Sequence, residues 1–279
     1  MTTSNPHVQR LYLGKRLGAL RAAAGLTLDQ ARLILEFSMS KLSRIEGGKV
    51  GVSRADVEIM ASLYRVDDPE TIQELLSLAK ATRERGWWAG YNPLNPPYVA
   101  FESEAHEVRQ YAPMAMPSLL QTEDYSRALF RATRPDWSPT EVDRQIALRT
   151  MRRCRLELGQ LRAWIILHEA ALRTPYGGPG IMAAQLEWLL ELVTYPNINM
   201  QVCEMETPNL PQAYGFTIIR LPELTTVCSE GVAGEVFLDE AVASGIIESF
   251  DKLMAYALSE TSSVNLMRER LNEHLEKKR

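Results

Sequence analysis

The first 85 residues contain five short patterns in which apolar residues recur at helical spacing, and these patterns most constrain the fold. The first pattern places Leu13, Leu17, Leu20 and Ala24 on one helix face, and Gly25 follows as a residue that tolerates positive φ past a helix end. Four more patterns predict helices near residues 28–35, 39–46, 54–64 and 69–85. Helices this short are marginal alone, so they must share one core.

Polar residues at the predicted helix starts support these boundaries. Thr27 caps the second helix, with Gln30 placed as in a capping box, and Ser38 and Ser53 cap the third and fourth helices. The residues expected to face the shared core are Ala31, Ile34, Leu35, Leu42, Ile45, Val57, Met60, Leu63, Tyr64, Ile72, Leu75, Leu76 and Ala79.

The charge of the chain is divided unevenly along its length. Residues 1–65 hold ten basic and five acidic residues, a net charge of +5, whereas the rest holds 21 basic and 30 acidic residues, a net charge of −9. Phosphates are therefore attracted to the basic N-terminal region and repelled by the acidic remainder of the chain. Chance variation in charge is the competing interpretation.

The segments Leu26–Ala31 and Phe37–Gly48 carry a family resemblance. The second segment holds the run Ser-Lys-Leu-Ser-Arg-Ile-Glu-Gly, and together they match, without a gap, the pattern of the XRE family of helix-turn-helix regulators. The resemblance covers residues 8 to about 66. It implies an N-terminal all-α, five-helix, lambda-repressor-like helix-turn-helix domain that binds a double-stranded DNA operator.

In that fold the third helix lies in the major groove with its N-terminal end toward the bases. If Leu42 and Ile45 face inward, helical spacing turns four side chains outward, and the resemblance gives these the role of reading base edges. Arg44 is the strongest candidate, because a guanidinium donates two hydrogen bonds to guanine O6 and N7. The four predicted base-reading residues are Met39, Ser40, Ser43 and Arg44.

Other polar residues of the motif are assigned to phosphate or to structure. Phosphate contacts, which add affinity without sequence information, are predicted for Thr27, Ser38, Lys41 and Lys49. For Lys41 and Arg44 the alternative is a solvated helix face. The resemblance implies that Arg21 and Glu46 form a structural ion pair between the first and third helices.

Three residues depart from the family pattern. Leu28 replaces a glutamine that often contacts phosphate, and Arg32 stands where alanine usually packs against the recognition helix. Glu36 replaces the usual turn glycine, so a strained backbone or a reshaped turn is expected there.

Beyond residue 85 the pattern changes. Residues 86–97 break all periodicity and predict a linker, which Trp87 and Trp88 are expected to pin onto the following domain. Residues 98–279 are predicted to form a second, α+β domain that serves effector binding and dimerisation. Its expected helices lie near 98–107, 121–133, 139–158, 179–194 and 239–258, and its strands near 162–168, 198–204, 214–221, 225–231 and 234–238.

The order of landmarks in this second domain carries another resemblance. The principal pieces are Pro117–Tyr125, His168–Arg173 and Tyr195–Ile198, which are extended by 201–202, 215–218 and 237–239. They resemble a domain that follows XRE motifs in an actinobacterial family of antitoxin-like regulators. The resemblance implies a very small partner protein encoded nearby and supplies no chemical role for the domain.

No motif indicates catalysis, a metal or a cofactor. His168-Glu169 lacks the second histidine of the zinc pattern, and we expect this histidine to lie at a strand end. The cysteines Cys154, Cys203 and Cys228 have no CxxC spacing, and Gly177–Gly180 lacks the lysine of a phosphate-binding loop and predicts a turn before a helix. We therefore assign no catalytic residue, no metal site and no cofactor.

The leading hypothesis is a homodimeric transcriptional regulator whose second domain dimerises and binds a small protein. Cysteine usage and the polar N-terminus predict a cytoplasmic protein, and no apolar run is long enough to span a membrane. One alternative is an enzyme with a DNA-targeting domain, which a cluster of titratable residues in a deep pocket favours. The other is a one-component sensor of a small ligand, which an enclosed apolar cavity favours.

Overall fold

The computed structural model describes residues 5–208, 210–211, 213–222, 224–231 and 234–278. The chain divides into two compact units, an N-terminal unit (Met1–Gly90) and a C-terminal unit (Tyr91–Arg279). The division falls inside the segment 86–97 that the sequence predicts to be a linker. The two units are described separately below.

The N-terminal unit has the predicted all-α helix-turn-helix fold. Its core is built from the inward faces of all its helices and centres on Leu13, Leu17, Leu42, Met60 and Leu75, which are fully buried. Its helices are α1 (Pro6–Ala23), α2 (Leu28–Ile34), α3 (Met39–Glu46), α4 (Arg54–Leu63) and α5 (Pro69–Ala81).

Helix caps explain most of these boundaries. Thr27 and Gln30 form the predicted capping box, and the hydroxyls of Ser38 and Ser53 accept hydrogen bonds from the third residue of α3 and of α4. Helix α1 begins earlier than the apolar pattern indicates, because Asn5 caps it and Pro6 fits the first turn. Helix α5 ends at Ala81, before the predicted Arg85.

The prediction that Ile34 faces the core is wrong. Its side chain is 60% exposed and that of Leu33 is 59% exposed, whereas Ala31 and Leu35 are buried. The rotation of α2 directs Ala31 and the C-cap residue Leu35, four residues apart, toward the core, and Leu33 and Ile34 lie at the surface. Glu36, at the usual glycine position, has φ of 57°, so the turn keeps its left-handed conformation despite the side chain.

The segment predicted to be a linker contains regular structure. A 3₁₀ helix spans Trp87–Tyr91, and the next helix begins at Pro96. Trp88 is buried, and its ring centroid lies 6.1 Å from that of His7, so this residue packs within the N-terminal unit. A Cβ atom at Gly86 would lie 2.2 Å from the Trp88 ring, so only glycine fits beneath it.

The C-terminal unit is an α+β fold, as predicted. Its helices are α6 (Pro96–Glu104), α7 (Glu123–Thr133), α8 (Pro139–Glu157), α9 (Glu169–Arg173), α10 (Pro179–Leu192), α11 (Glu240–Tyr256) and α12 (Glu260–Lys278). Its strands are β1 (Glu107–Ala112), β2 (Arg162–His168), β3 (Ile198–Cys203), β4 (Phe216–Leu221), β5 (Leu224–Gly231) and β6 (Gly234–Phe237). Within the described residues the strands form one six-stranded sheet of order β3-β2-β1-β4-β5-β6.

The sheet is mixed, and β1 lies near its centre. Strand β1 pairs in parallel with β2, with Tyr111 opposite Ile166, and antiparallel with β4, with Tyr111 opposite Phe216. The sequence pattern predicts a helix near residues 98–107 and no strand after it, whereas α6 ends at Glu104 and β1 follows. Helices α9 and α12 are likewise absent from the sequence prediction. Around Phe250 and Leu253, helix α11 covers one face of the sheet.

Candidate nucleic-acid interface

Helix α3 presents one buried face and one exposed face. Leu42 and Ile45 are buried in the core of the N-terminal unit, as the spacing predicts. The opposite face is open to solvent and carries all four residues that were predicted to read bases, namely Met39, Ser40, Ser43 and Arg44. Helix α3 therefore exposes a strip that carries one guanidinium, two hydroxyls and one apolar thioether.

The C-terminal end of α3 is tied to α1 by the Arg21–Glu46 ion pair. Arg21 Nε donates to Glu46 Oε1 at 2.8 Å, Nη2 donates to Oε2 at 2.9 Å, and Nη1 donates to the Leu26 carbonyl at 2.6 Å. The two side chains are only 18% and 11% exposed. Burial, and then the Glu46 carboxylate, raise the pKa of the neighbouring Tyr64 phenol well above its usual value.

A glycine that sequence reasoning missed allows this close contact. A Cβ atom at Gly14 of α1 would lie 2.5 Å from the carbonyl oxygen of Ile45 and 2.6 Å from that of Glu46. Gly14 follows the core residue Leu13 and is itself buried. A glycine beside the apolar stripe of a helix was the available signal, because it permits close backbone approach.

The N-terminal half of α3 is tied to α4 through Lys41. Its Nζ atom lies 3.0 Å from Asp56 Oδ1 and 3.4 Å from the centroid of the Phe37 ring. Partial burial acts to raise the pKa of the Asp56 carboxyl, but hydrogen bonds from Lys41 and Ser53 outweigh it and hold that pKa below its usual value. Sequence reasoning singled out neither Asp56 nor Phe37 as a partner of Lys41.

The remaining candidate phosphate ligands lie around α3. Thr27 caps α2 and Ser38 caps α3, and both lie at the surface with their hydroxyl oxygens engaged in the caps. Lys49 is exposed just after α3, and its backbone N–H donates to the Arg44 carbonyl at 2.9 Å.

The residues that depart from the family pattern are accommodated without disrupting the motif. Leu28 packs against the core of the N-terminal unit, and Arg32 pairs with Asp29 at 2.7 Å. Neither replacement displaces Ala31 of α2, which stays fully buried in the core of the N-terminal unit. The exposed face of α3 is therefore intact.

In the C-terminal unit the residues considered for chemistry have structural roles. The His168 Nδ1 atom accepts a hydrogen bond from the Ala170 N–H at 3.2 Å, at the end of β2 and the start of α9 as predicted, and burial lowers the pKa of this imidazole. Gly178 has φ of 93° and forms the predicted turn before α10. Among the described residues, no group of three or more histidine, cysteine, aspartate or glutamate side chains is arranged to hold a metal ion. Over the same residues we find no helix with the length and apolar character needed to cross a bilayer.

Comparison with known protein families assigns both units. A helix-turn-helix domain model matches residues 12–75, and a model described as a domain of unknown function, DUF5753, matches residues 96–269. Neither the comparison with curated proteins nor that with solved structures gave a match. The helix-turn-helix match and the exposed face of α3 make the protein a DNA-binding regulator. Because the second model spans more than half of the chain, the protein belongs to the DUF5753 family.

Proposed function

We propose that the protein is a sequence-specific transcriptional regulator of the XRE type, in which α3 reads base edges in the major groove of an operator. The observation that carries this proposal is the exposed strip of α3 opposite the buried Leu42 and Ile45. A helix fits the major groove, where each base pair presents a distinct pattern of donors and acceptors.

Each exposed side chain of α3 suits a particular contact. The Arg44 guanidinium can donate two hydrogen bonds to guanine, the hydroxyls of Ser40 and Ser43 can donate or accept, and Met39, 42% exposed, offers apolar contact to a thymine methyl group. Thr27, Ser38 and Lys49 lie around this strip and are proposed to contact phosphates.

The proposed regulator acts as a homodimer with a small protein as its effector. One short recognition helix reads few bases, and related motifs use two copies on a two-fold site. We assign dimerisation and binding of a small, antitoxin-type partner encoded nearby to the C-terminal unit. The resemblance of residues 98–268 to antitoxin-like regulators supports this assignment.

Base reading is tested by a competition assay. An operator is first selected from random duplexes with the wild-type protein, and binding to it is then compared with binding to a scrambled duplex at one salt concentration. We expect Arg44→Ala to cost about 1–3 kcal/mol of discrimination and Ser43→Ala less. Arg16→Ala is the matched control, because Arg16 lies half exposed on α1 outside the strip. An unchanged operator-to-scrambled ratio for Arg44→Ala contradicts the proposal.

The assembly is tested on the full chain without DNA. Light scattering should give twice the mass of the chain, and the product of the adjacent small gene should co-elute with it. A monomer contradicts the proposed dimer, and a dimer that ignores the small protein contradicts the proposed effector.

A further inference from the structure

Helix α3 is held at its two ends by two different ion pairs. At its C-terminal end, Arg21 and Glu46 form a partly buried pair beside the close contact at Gly14. Nearer its N-terminal end, Lys41 pairs with Asp56, and these side chains are 42% and 24% exposed. The N-terminal end is the one that faces the bases in helix-turn-helix complexes. The second pair therefore lies where a small rotation of α3 would displace the base-reading side chains.

The ammonium group of Lys41 already has two partners within the N-terminal unit. Asp56 Oδ1 accepts its hydrogen bond at 3.0 Å, and the Phe37 ring lies beneath it at 3.4 Å. Phe37 packs against the core, and the Asp56 backbone N–H donates to Ser53 Oγ at 2.9 Å in the cap of α4. Lys41 thus joins α3 to two groups that are themselves held in place.

The same arrangement weakens the case for a phosphate contact. A phosphate that approached Lys41 Nζ would also approach the Asp56 carboxylate, whose charge offsets that of the ammonium group. A lysine that contributes to phosphate binding acts through a net positive charge. Here the local charge of the pair is close to zero.

We propose that Lys41 is a positioning residue, which sets the angle of the N-terminal half of α3 by pairing with Asp56 and packing on Phe37, in place of the phosphate contact predicted from the sequence. The inference rests on the proposed base reading by α3. Hydrogen bonds to bases require good distance and angle, so a small change of helix orientation affects discrimination more than it affects phosphate contacts. Half-exposed ion pairs add little to folding stability, so the pair can be removed without unfolding the unit.

The experiment compares Lys41→Met, Asp56→Asn and the double variant with the wild type, on operator and scrambled duplexes over a range of salt concentrations. Methionine keeps an unbranched side chain over Phe37, and asparagine keeps an oxygen that can serve the cap of α4. We expect each single variant to lower the operator-to-scrambled ratio about fivefold to tenfold, within the range of one base contact. The double variant should have an operator-to-scrambled ratio no lower than that of either single variant, because all three proteins lack the Lys41–Asp56 ion pair.

The salt dependence separates positioning from phosphate binding. For Lys41→Met the slope of log K against log salt should stay at the wild-type value. Lys49→Gln, which removes a proposed phosphate contact, should weaken binding to both duplexes alike and reduce the slope by about 0.9. Unlike Lys41→Met, Lys41→Arg should keep the wild-type operator-to-scrambled ratio, because a guanidinium can pair with Asp56 and stack on Phe37.

Two results would overturn the inference. One is a Lys41→Met variant that binds both duplexes more weakly, with a reduced slope and an unchanged ratio. The other is an Asp56→Asn variant that discriminates as well as the wild type, which decides the question even if Lys41→Met does not fold. If the wild type itself fails to discriminate, the proposed function has failed; if Arg44→Ala loses discrimination and both pair variants keep it, only this inference has failed.

Discussion

Each unit contains an arginine–glutamate pair that joins two helices, and this pair is partly buried in the N-terminal unit and fully buried in the C-terminal unit. In the N-terminal unit, Arg21 of α1 meets Glu46 of α3, and the side chains are 18% and 11% exposed. In the C-terminal unit, Arg152 of α8 meets Glu102 of α6 through two hydrogen bonds of 2.6 Å, and the side chains are 7% and 3% exposed. The first pair holds the candidate recognition helix, and the second lies in the interior of the DUF5753 domain.

One of the two pairs could be predicted from the sequence, and the other could not. The Arg21–Glu46 pair belongs to a compact motif of known fold, so the resemblance implied it. The Arg152–Glu102 pair also engages Ser118 and the Tyr98 ring, but no local pattern marks any of these residues. The same chemistry was therefore foreseen in one unit and found only from the structure in the other.

The largest effect is expected from Arg152→Met. The change leaves the buried Glu102 carboxylate without its guanidinium, and breaking a buried pair in this way costs about 3–5 kcal/mol. Chemical denaturation of the full chain should show the loss, and hydrogen exchange should place it in α6 and α8. A loss below about 1 kcal/mol would contradict this assignment.

Arg21→Met is the matched change in the N-terminal unit, and we expect a smaller loss of about 2 kcal/mol. Solvent reaches Glu46 more easily than Glu102, so the unpaired charge is better screened. Hydrogen exchange should show the loss in α1 and α3. If Arg21→Met lowers the free energy of unfolding by more than Arg152→Met does, the depth of burial does not determine which pair contributes more to stability.

Glycine-to-alanine changes should have opposite signs in the two units. In α1, Gly14→Ala forces a Cβ atom against two carbonyl oxygens of α3, and we expect a loss of about 1–3 kcal/mol despite the better helix propensity of alanine. In α11, Gly245 has no atom within 4 Å of its added Cβ position, so Gly245→Ala should stabilise the protein by about 0.5–1 kcal/mol. Thermal unfolding of the full chain measures both, and two changes of the same sign would refute the comparison.

The smallest effect is expected from Ile34→Ser. The sequence pattern places this side chain in the core, where such a change would cost several kcal/mol, but the structure exposes 60% of it. We therefore expect a change within about 0.5 kcal/mol in denaturation experiments. Leu42→Ser, at a fully buried position of α3, is the control that should destabilise the unit strongly.

The features that could be predicted from the sequence are those that depend on neighbours along the chain. The caps at Thr27, Ser38 and Ser53 and the buried face of α3 follow from spacings of three or four residues, and they define where α3 begins and which side it exposes. Helix geometry makes such spacings sufficient, because residues three or four apart lie on one face.

Features that depend on distant partners emerge only in the folded protein. The segment Glu107–Ala112 becomes a strand because β2 and β4, more than 50 and 100 residues further along the chain, pair with its two edges. Lys41 pairs with Asp56 of the next helix, and Ile34 lies at the surface because α2 turns Ala31 and Leu35 toward the core. Local spacing cannot specify these outcomes, since pairing and burial depend on which surfaces meet once the chain has folded.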